Sequence, residues 1–417
     1  MFKFGVISFR AIPRIVEIIN IIRVIPEKIY HFTSIINWSL KLGYYKLNNI
    51  KEEKENWTAI IDASISLGNK KLFVILKTRS KIMEKREKGI SLEDVEIVGL
   101  FIREKINGDE VESIVRKVFK EVGNPKQLVT DGGTDLIKGI KNVLLKEEEI
   151  IHNFDIGHIF ANILKKEYSK NSQFIKLLKF TSKIGSKLRQ TKAAWIIPPK
   201  LRVKGRFQSV CKLFEWAKKA FEYYQNHLDK EDKELKRLLD ENFIGYQFLF
   251  DIVNKFHSEC EIMNKIMKLV KKEGLSEDTY NKSLFITSKL ENSSNIKIEV
   301  ENYLLRNLEI MLKNKITIGI LSTDIIESLF GKLKYILENS QSKDFNRISL
   351  ILPLLVGEIN EEMIEKALSE ITMKDIKKWE KENVGETLRM KKNKEFLKLN
   401  EKMITLKYAE SNYDNVA

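Results

Sequence analysis

The order of secondary-structure signals between residues 57 and 154 constrains the fold of this chain more than any other feature. Apolar, β-branched runs that indicate strands precede and alternate with amphipathic stretches that indicate helices. The runs are, in order, 57–65, 71–78 and 95–103 (strands), 109–122 (helix), 126–131 (strand), 134–145 (helix) and 150–154 (strand). An antiparallel meander is thus followed by a parallel βαβ half. The order predicts an α/β fold with an RNase H-like mixed five-stranded sheet.

Helical patterns dominate the N-terminal part of the chain. Residues 1–50 predict a helical region with Pro13 and Pro26 as breaks. Within it, Thr33 is expected to cap an amphipathic helix and Gly43 to end it. This helix is either the remnant of a helix-turn-helix or a plain packing helix.

Helix is also predicted for almost all of 159–320, with one break at 196–200 and loops expected within 274–300. A β-sheet interrupted by so long a helical stretch indicates several segments. They are a helical N-terminal region (1–50), the first part of an RNase H-like core (55–160), a large all-helical insertion (161–318), a core helix (319–345) and a helical C-terminal tail (346–417).

The charge balance favours a polyanionic partner. The 417 residues include 73 Lys and Arg against 58 Asp and Glu, which gives a formal net charge of +15. Double-stranded DNA is the partner that such a chain suggests. A Lys- and Ile-rich composition imposed by an AT-rich gene is the alternative.

The compartment is inferred from cysteine usage and from the absence of long apolar runs. Cys211 and Cys260 lack metal-binding spacing and are interpreted as buried thiols in a reducing compartment. No run approaches the ~18–20 apolar residues of a membrane span. Charged residues at helical spacing break the Ile-rich N-terminus, which argues against a signal peptide. We therefore expect a cytoplasmic, nucleoid-associated protein with no membrane partner.

Three acidic residues, Asp62, Asp131 and Glu327, are the candidate catalytic and metal-ligating residues. Asp62 interrupts the strand run 57–65, and Asp131 ends another run just before two glycines. A carboxylate on a buried strand is costly unless something compensates its charge. In an RNase H-like sheet the middle of the first strand lies beside the end of the fourth, so the two aspartates are expected side by side. Two Mg²⁺ (or Mn²⁺) ions, which prefer oxygen ligands, would provide the compensation.

Each acid also has an ordinary structural interpretation. An aspartate at a strand end is often a cap or turn residue, and a glutamate on a charged helix is usually solvated. Asp324, one turn before Glu327, competes with it as the third acid. Asp131 and Glu327 are 196 residues apart (327 − 131), far more than an uninterrupted fold needs. A helical insertion explains the excess, and a separate domain is the alternative.

Four segments together resemble the bacterial insertion-sequence transposases of the DDE class, whose RNase H-like core is interrupted by a helical insertion. They are Ile61-Asp62-Ala-Ser, Val129-Thr-Asp131-Gly-Gly, Phe154-Asp155-Ile-Gly-His158 and Ser322-Thr-Asp-Ile-Ile-Glu327-Ser-Leu-Phe-Gly-Lys-Leu-Lys334. The resemblance covers roughly residues 55 to 350. It implies DNA cleavage and strand transfer at element ends by a homodimer or larger synaptic complex, with the metal ions held by Asp62, Asp131 and Glu327.

The resemblance also adds accessory candidates. Asp155 and His158 match an Asp-x-x-His motif of several transposase superfamilies; His158 either donates to a phosphate or is a structural residue at a helix start. In the insertion, Trp195 precedes an alternating basic run of Lys200, Arg202, Lys204 and Arg206. Such residues suit DNA binding, with the indole stacking on a base and the cations on phosphates. For Trp195 itself, burial in a core is the favoured alternative.

The sequence leaves three functions open. The first is a DDE transposase, which the long insertion favours. The second is a metal-dependent nuclease on the same RNase H-like fold. The third is a domesticated or decayed transposase that only binds DNA. An assay for strand joining separates the first from the second, and metal-dependent activity of any kind excludes the third.

Overall fold

A computed structural model of the chain describes residues 8–22, 30–49, 53, 55–67, 69–80, 82, 89–147, 149–200, 206–228, 231–338 and 344–413. Its strands are β1 (Trp57–Leu67), β2 (Lys70–Arg79), β3 (Glu96–Arg103), β4 (Gln127–Thr130) and β5 (Ile151–Phe154). Its α-helices are α1 (Ala11–Ile22), α2 (Phe32–Asn48), α3 (Gly108–Val122), α4 (Thr134–Leu144), α5 (Ile156–Tyr168), α6 (Ser172–Lys187), α7 (Arg206–His227), α8 (Lys233–Phe243), α9 (Phe250–Glu273), α10 (Glu277–Thr287), α11 (Asn295–Lys313), α12 (Asp324–Glu338), α13 (Glu361–Glu370), α14 (Met373–Trp379) and α15 (Leu388–Tyr413).

The five strands form one mixed sheet in the order β3-β2-β1-β4-β5. β1 pairs antiparallel with β2, and β2 pairs antiparallel with β3. β1 pairs parallel with β4 on its other side. An antiparallel meander next to a parallel half, in this order, is the RNase H-like arrangement, so the fold predicted from the sequence is confirmed.

The chain divides into two compact units. The sheet unit comprises Met1–Ile82, Ile90–Ile150 and Thr323–Ala417, and the helical unit comprises Met83–Gly89 and Ile151–Ser322. The chain therefore leaves the sheet unit after α4 and returns to it just before α12. β5 is the fifth strand of the sheet and also the first element of the long helical segment.

One face of the sheet packs against α3 and α4. The core on this side includes Trp57, Ala59 and Ile61 of β1 and Leu128 of β4, together with apolar residues of both helices. The helices supply residues at three- and four-residue spacing, such as Val111, Val115, Val118 and Val122 in α3, as an amphipathic helix requires.

Helix α2 explains two differences from the sequence-based expectations. It runs from Phe32 to Asn48 with His31 as its N-cap, so the predictions that Thr33 caps it and that Gly43 ends it are wrong. Gly43 lies inside the helix. A glycine is needed there because a β-carbon would come within 1.7 Å of the Leu350 carbonyl oxygen. The glycine permits close helix packing rather than a stop. The interpretation of α2 as a helix-turn-helix remnant stays a prediction.

The helical unit has its own core, rich in stacked aromatic rings. Phe174 stacks on Phe214 at 5.4 Å, and Phe214 stacks on Phe256 at 3.7 Å between ring centroids. These rings come from α6, α7 and α9, which wrap a single cluster of buried residues. Helix α10 occupies 277–287, in the middle of the segment where loops were expected. The loops are confined to its two ends because Ser276 caps α10 and Ser294 caps α11.

Candidate functional site

The pairing of β1 with β4 fixes the backbone positions of the two candidate aspartates. The parallel register pairs Ile60 with Val129 and Ile61 with Thr130. Asp62 is the next residue of β1, and Asp131 is the first residue after the carboxyl end of β4. Neighbouring strands are about 4.8 Å apart, so the two residues occupy adjacent backbone positions. That their carboxylates share one site stays a prediction.

Strand periodicity also places the two aspartates on one face of the sheet. Successive side chains of a strand point to opposite faces. Ala59 and Ile61 face the α3 and α4 side, as does Leu128. Asp62 and Asp131 are therefore on the opposite face, the face on which Thr58 donates a hydrogen bond to Gln127 (3.2 Å).

The backbone changes direction immediately after each aspartate. The β1–β2 register shifts between Asp62 and Ile65, and such bulges re-aim side chains next to functional sites. Asp62 is only 3% exposed, and its Oδ1 accepts a hydrogen bond from the Ala63 N–H (2.6 Å). After Asp131, Gly132 has φ of +85° and the Gly133 N–H donates to the Asp131 Oδ1 (2.9 Å). The glycine turn allows α4 to start directly behind the carboxylate.

Helix α12, which carries the third candidate, packs against β1. Its buried residues are Ile326, Leu329, Phe330, Leu333 and Leu337. None of them belongs to the core on the α3 and α4 side. Helix α12 therefore packs on the face that carries the two aspartates.

Position around the α12 axis separates the two rival acids. Consecutive residues of an α-helix are about 100° apart, so Glu327 lies about 100° from Ile326, at the border of the packed stripe. Asp324 lies about 160° from it, on the solvent side. Both side chains are exposed. Glu327 is thus the nearer of the two to the packed stripe, and the choice between them as third acid stays a prediction.

The donor set of this edge fits a hard divalent cation, because it offers carboxylate oxygens on adjacent strands. In the part of the chain that the structure describes, no group of three or more His, Cys, Asp or Glu side chains is arranged to hold a metal ion. Backbone pairing thus brings Asp62 and Asp131 together, whereas the exposed Glu327 is not clustered with them. The three-acid ligand set remains a prediction.

The Asp-x-x-His motif forms the start of α5, within the helical unit. Asp155 is its N-cap, 2% exposed, and its Oδ1 accepts the backbone N–H of His158 (2.9 Å). An N-cap side chain accepts the N–H of the residue three positions later, so helix capping explains the three-residue spacing of the motif. The Lys271 ammonium lies close to this turn, 3.5 Å from where a β-carbon on Gly157 would be. The sequence gave no indication of this cation.

Trp195 is not a core residue, contrary to the favoured alternative. It is 56% exposed and meets Tyr223 edge-on with ring centroids 4.9 Å apart. The two rings line a cavity of about 650 Å³ in the helical unit with Trp216, whose indole N–H donates to the Ile196 carbonyl (2.9 Å). The short 3₁₀ turn Ala194–Ile196 and the prolines after it hold Trp195 at the rim.

The cavity also has cationic residues that the sequence analysis missed. Lys212 and Lys219 of α7 line it beside Trp216 and Tyr223, and Lys219 pairs with Glu215 of the same lining (2.7 Å). Positions 212, 216, 219 and 223 recur at three- and four-residue spacing, a signal that the sequence contains. Of the predicted basic run, Lys200 is exposed. Arg202 and Lys204 lie outside the described residues, as does the side chain of Arg206.

None of the described helices is both long enough and apolar enough to cross a membrane.

Comparison with known proteins adds little. No protein-family model matches the sequence, and a sequence comparison with curated proteins finds no match. Among solved structures, the chain is similar to one in a Drosophila P element transposase strand transfer complex. The two are 12% identical, with 80% of this chain and 86% of that chain covered and a TM-score of 0.38. At this level the two chains resemble each other only loosely.

Proposed function

We propose that the chain is a metal-dependent DNA strand transferase of the DDE transposase class. The observation that carries the proposal is the juxtaposition of Asp62 and Asp131 on one face at the carboxyl end of β4. A 3%-exposed carboxylate next to a second carboxylate is an arrangement of like charges that a cation stabilises. The same residues belong to the motifs that resemble this transposase class.

In this proposal Asp62 and Asp131 hold two Mg²⁺ or Mn²⁺ ions, and Glu327 completes the ligand set from α12. The ions would supply Lewis-acid activation of the nucleophile and of the leaving oxygen in phosphoryl transfer. Asp62 is fixed by the strand and Asp131 by its own glycine turn. Glu327, being exposed at the border of α12, is the ligand that must turn inward when the site is loaded.

The DNA-binding residues proposed for the helical unit are Trp195, Lys200, Arg202, Lys204 and Arg206. The exposure of Trp195 and the presence of Lys212 in the lining of the same cavity support this role, because an accessible indole near a cation can stack on a base while a phosphate is neutralised. Asp155 and His158 remain accessory candidates, with Asp155 acting on the geometry of the α5 start. Two element ends must be joined in strand transfer, so a homodimer or larger assembly is proposed as the active form, on the bacterial nucleoid.

The test uses the purified full chain with Mg²⁺ or Mn²⁺ on supercoiled DNA that carries the DNA flanking its gene. Wild type is expected to cleave and to join strands. Asp131→Asn and Glu327→Gln are expected to lose both activities, and Asp324→Asn, on the same helix, is the matched control that keeps them. Loss with Asp324→Asn and survival with Glu327→Gln would move the third ligand to Asp324.

The same assay distinguishes the other functions. Metal-dependent hydrolysis without any joining on the flanking sequences would favour a nuclease. DNA binding with no metal-dependent cleavage by wild type would favour the chain that only binds DNA. Full-rate cleavage by Asp131→Asn would overturn the assignment of the site itself.

A further inference from the structure

The two cysteines of the chain, which sequence spacing gave no reason to connect, meet in the helical unit. Cys211 lies on α7 and Cys260 on α9, and both belong to, or pack against, the core of that unit. The rings of Phe214 and Phe256 stack at 3.7 Å between these helices. Cys211 is three residues before Phe214, and Cys260 is four residues after Phe256. Phe221, later on α7, meets Phe250, earlier on α9, with ring centroids 6.4 Å apart, so the two helices run antiparallel. Residues one turn before Phe214 and one turn after Phe256 therefore face each other.

The two thiols affect each other's pKa, and their surroundings differ. The hydrogen bond with Cys260 lowers the pKa of the Cys211 thiol. Burial raises the pKa of the Cys260 thiol, which is 3% exposed. Cys211 is only partly buried. It therefore combines the easier ionisation with the access that an oxidant requires, and Cys260 is shielded behind it.

We propose that Cys211 and Cys260 form a reversible disulfide when the chain meets a peroxide, and so link α7 to α9. The Cys211 thiolate attacks one peroxide oxygen, the O–O bond breaks, and a proton converts the departing hydroxide to water. This leaves a sulfenic acid on Cys211. The Cys260 sulfur then attacks the Cys211 sulfur, the S–O bond breaks, and the thiol proton leaves with the hydroxyl as a second water. Two thiols are oxidised and one peroxide is reduced.

The link would act on the same helix that lines the aromatic cavity. Helix α7 carries Cys211, Lys212 and Trp216 within two turns. A disulfide restricts the unfolded chain and fixes the two helices it joins. The oxidised protein is therefore expected to have a higher melting temperature in its helical unit than the reduced protein.

The experiment treats the full chain with hydrogen peroxide, blocks remaining thiols with iodoacetamide and measures the intact mass. The two alkylatable thiols of the reduced chain are expected to fall to none. The mass of the monomer should fall by two hydrogen atoms, and dithiothreitol should restore both thiols. A peptide map should show the segments of Cys211 and Cys260 linked. Two thiols that stay alkylatable, or a disulfide between chains, would overturn the proposal.

Single serine variants test the order of events. Cys260→Ser is expected to accumulate a Cys211 sulfenic acid that dimedone traps, and Cys211→Ser is expected to resist the same peroxide dose. Trapping at Cys260 in Cys211→Ser, at the rate seen for Cys211, would refute the assigned roles. Because the wild-type mass measurement needs no variant, an unstable variant leaves the main test intact.

Discussion

The sheet unit and the helical unit each bury a carboxylate, and the two are stabilised in different ways. Glu259, 5% exposed in α9, accepts a hydrogen bond from the hydroxyl of the buried Tyr168, and burial raises its pKa. Asp62, 3% exposed in β1, stands instead beside Asp131 at a strand end. Glu259 is stabilised within the core by its hydrogen-bond donor. Asp62 lies beside a second carboxylate, and a bound cation would offset the repulsion between their negative charges.

The largest expected effect follows from exchanging these two acids for their amides. Asp62→Asn should reduce metal-dependent DNA cleavage by about 1,000-fold or more, because a neutral amide oxygen binds a divalent cation more weakly than a carboxylate does. It should leave the metal-free protein at least as stable, since a buried charge is removed. Glu259→Gln should cleave at the wild-type rate. Cleavage rates and melting curves with and without Mg²⁺ measure both effects, and a metal-induced rise in melting temperature that survives Asp62→Asn would contradict the assignment.

Close packing in the sheet unit gives the next largest effect. Gly43→Ala should destabilise the protein by about 3 kcal/mol, because its β-carbon would collide with the Leu350 carbonyl at 1.7 Å. Gly331→Ala in α12, where nothing lies within 4 Å of the added carbon, should stabilise by about 0.5–1 kcal/mol through helix propensity alone. Urea denaturation of both variants measures the difference. Equal changes would show that α2 does not approach Leu350 this closely.

In the helical unit, removing the exposed indole of Trp195 should weaken DNA binding and change the free energy of unfolding little. Trp195→Ala is expected to weaken binding of single-stranded DNA by about 10-fold, in the range of 1–3 kcal/mol per stacked base. Phe285→Ala is the matched control, because Phe285 is an exposed ring of the same unit, 73% accessible, outside the cavity. Fluorescence anisotropy titrations measure both. Equal losses in the two variants would exclude a specific role for the indole.

The two units also differ in how far their sequence predicts them. The period-2 pattern and the glycine turn were enough to place Asp62 and Asp131 on neighbouring strands, because strand order and register follow from local rules. In the helical unit, the exposure of Trp195 and the contact between Cys211 and Cys260 depend on how helices and turns pack on one another. A helix pattern shows which face is apolar but not which neighbour covers it, so these features could not be predicted.

The smallest expected effect is a pH dependence in the helical unit. Because the pKa of Glu259 is raised in the folded state, the unfolded chain releases this proton at lower pH. The free energy of unfolding is therefore highest below the ordinary glutamate pKa, and it falls as pH rises through the raised value.

Glu259→Gln should remove that fall. The variant should be more stable than wild type by on the order of 1 kcal/mol at pH 8, with no gain at pH 4. Glu261→Gln, an exposed acid of the same helix whose pKa the Lys265 hydrogen bond lowers, should show no such gain. Urea denaturation at the two pH values, followed by tryptophan fluorescence, measures the difference. A gain that is equal at both pH values would mean that Glu259 keeps the same protonation in the folded and unfolded states.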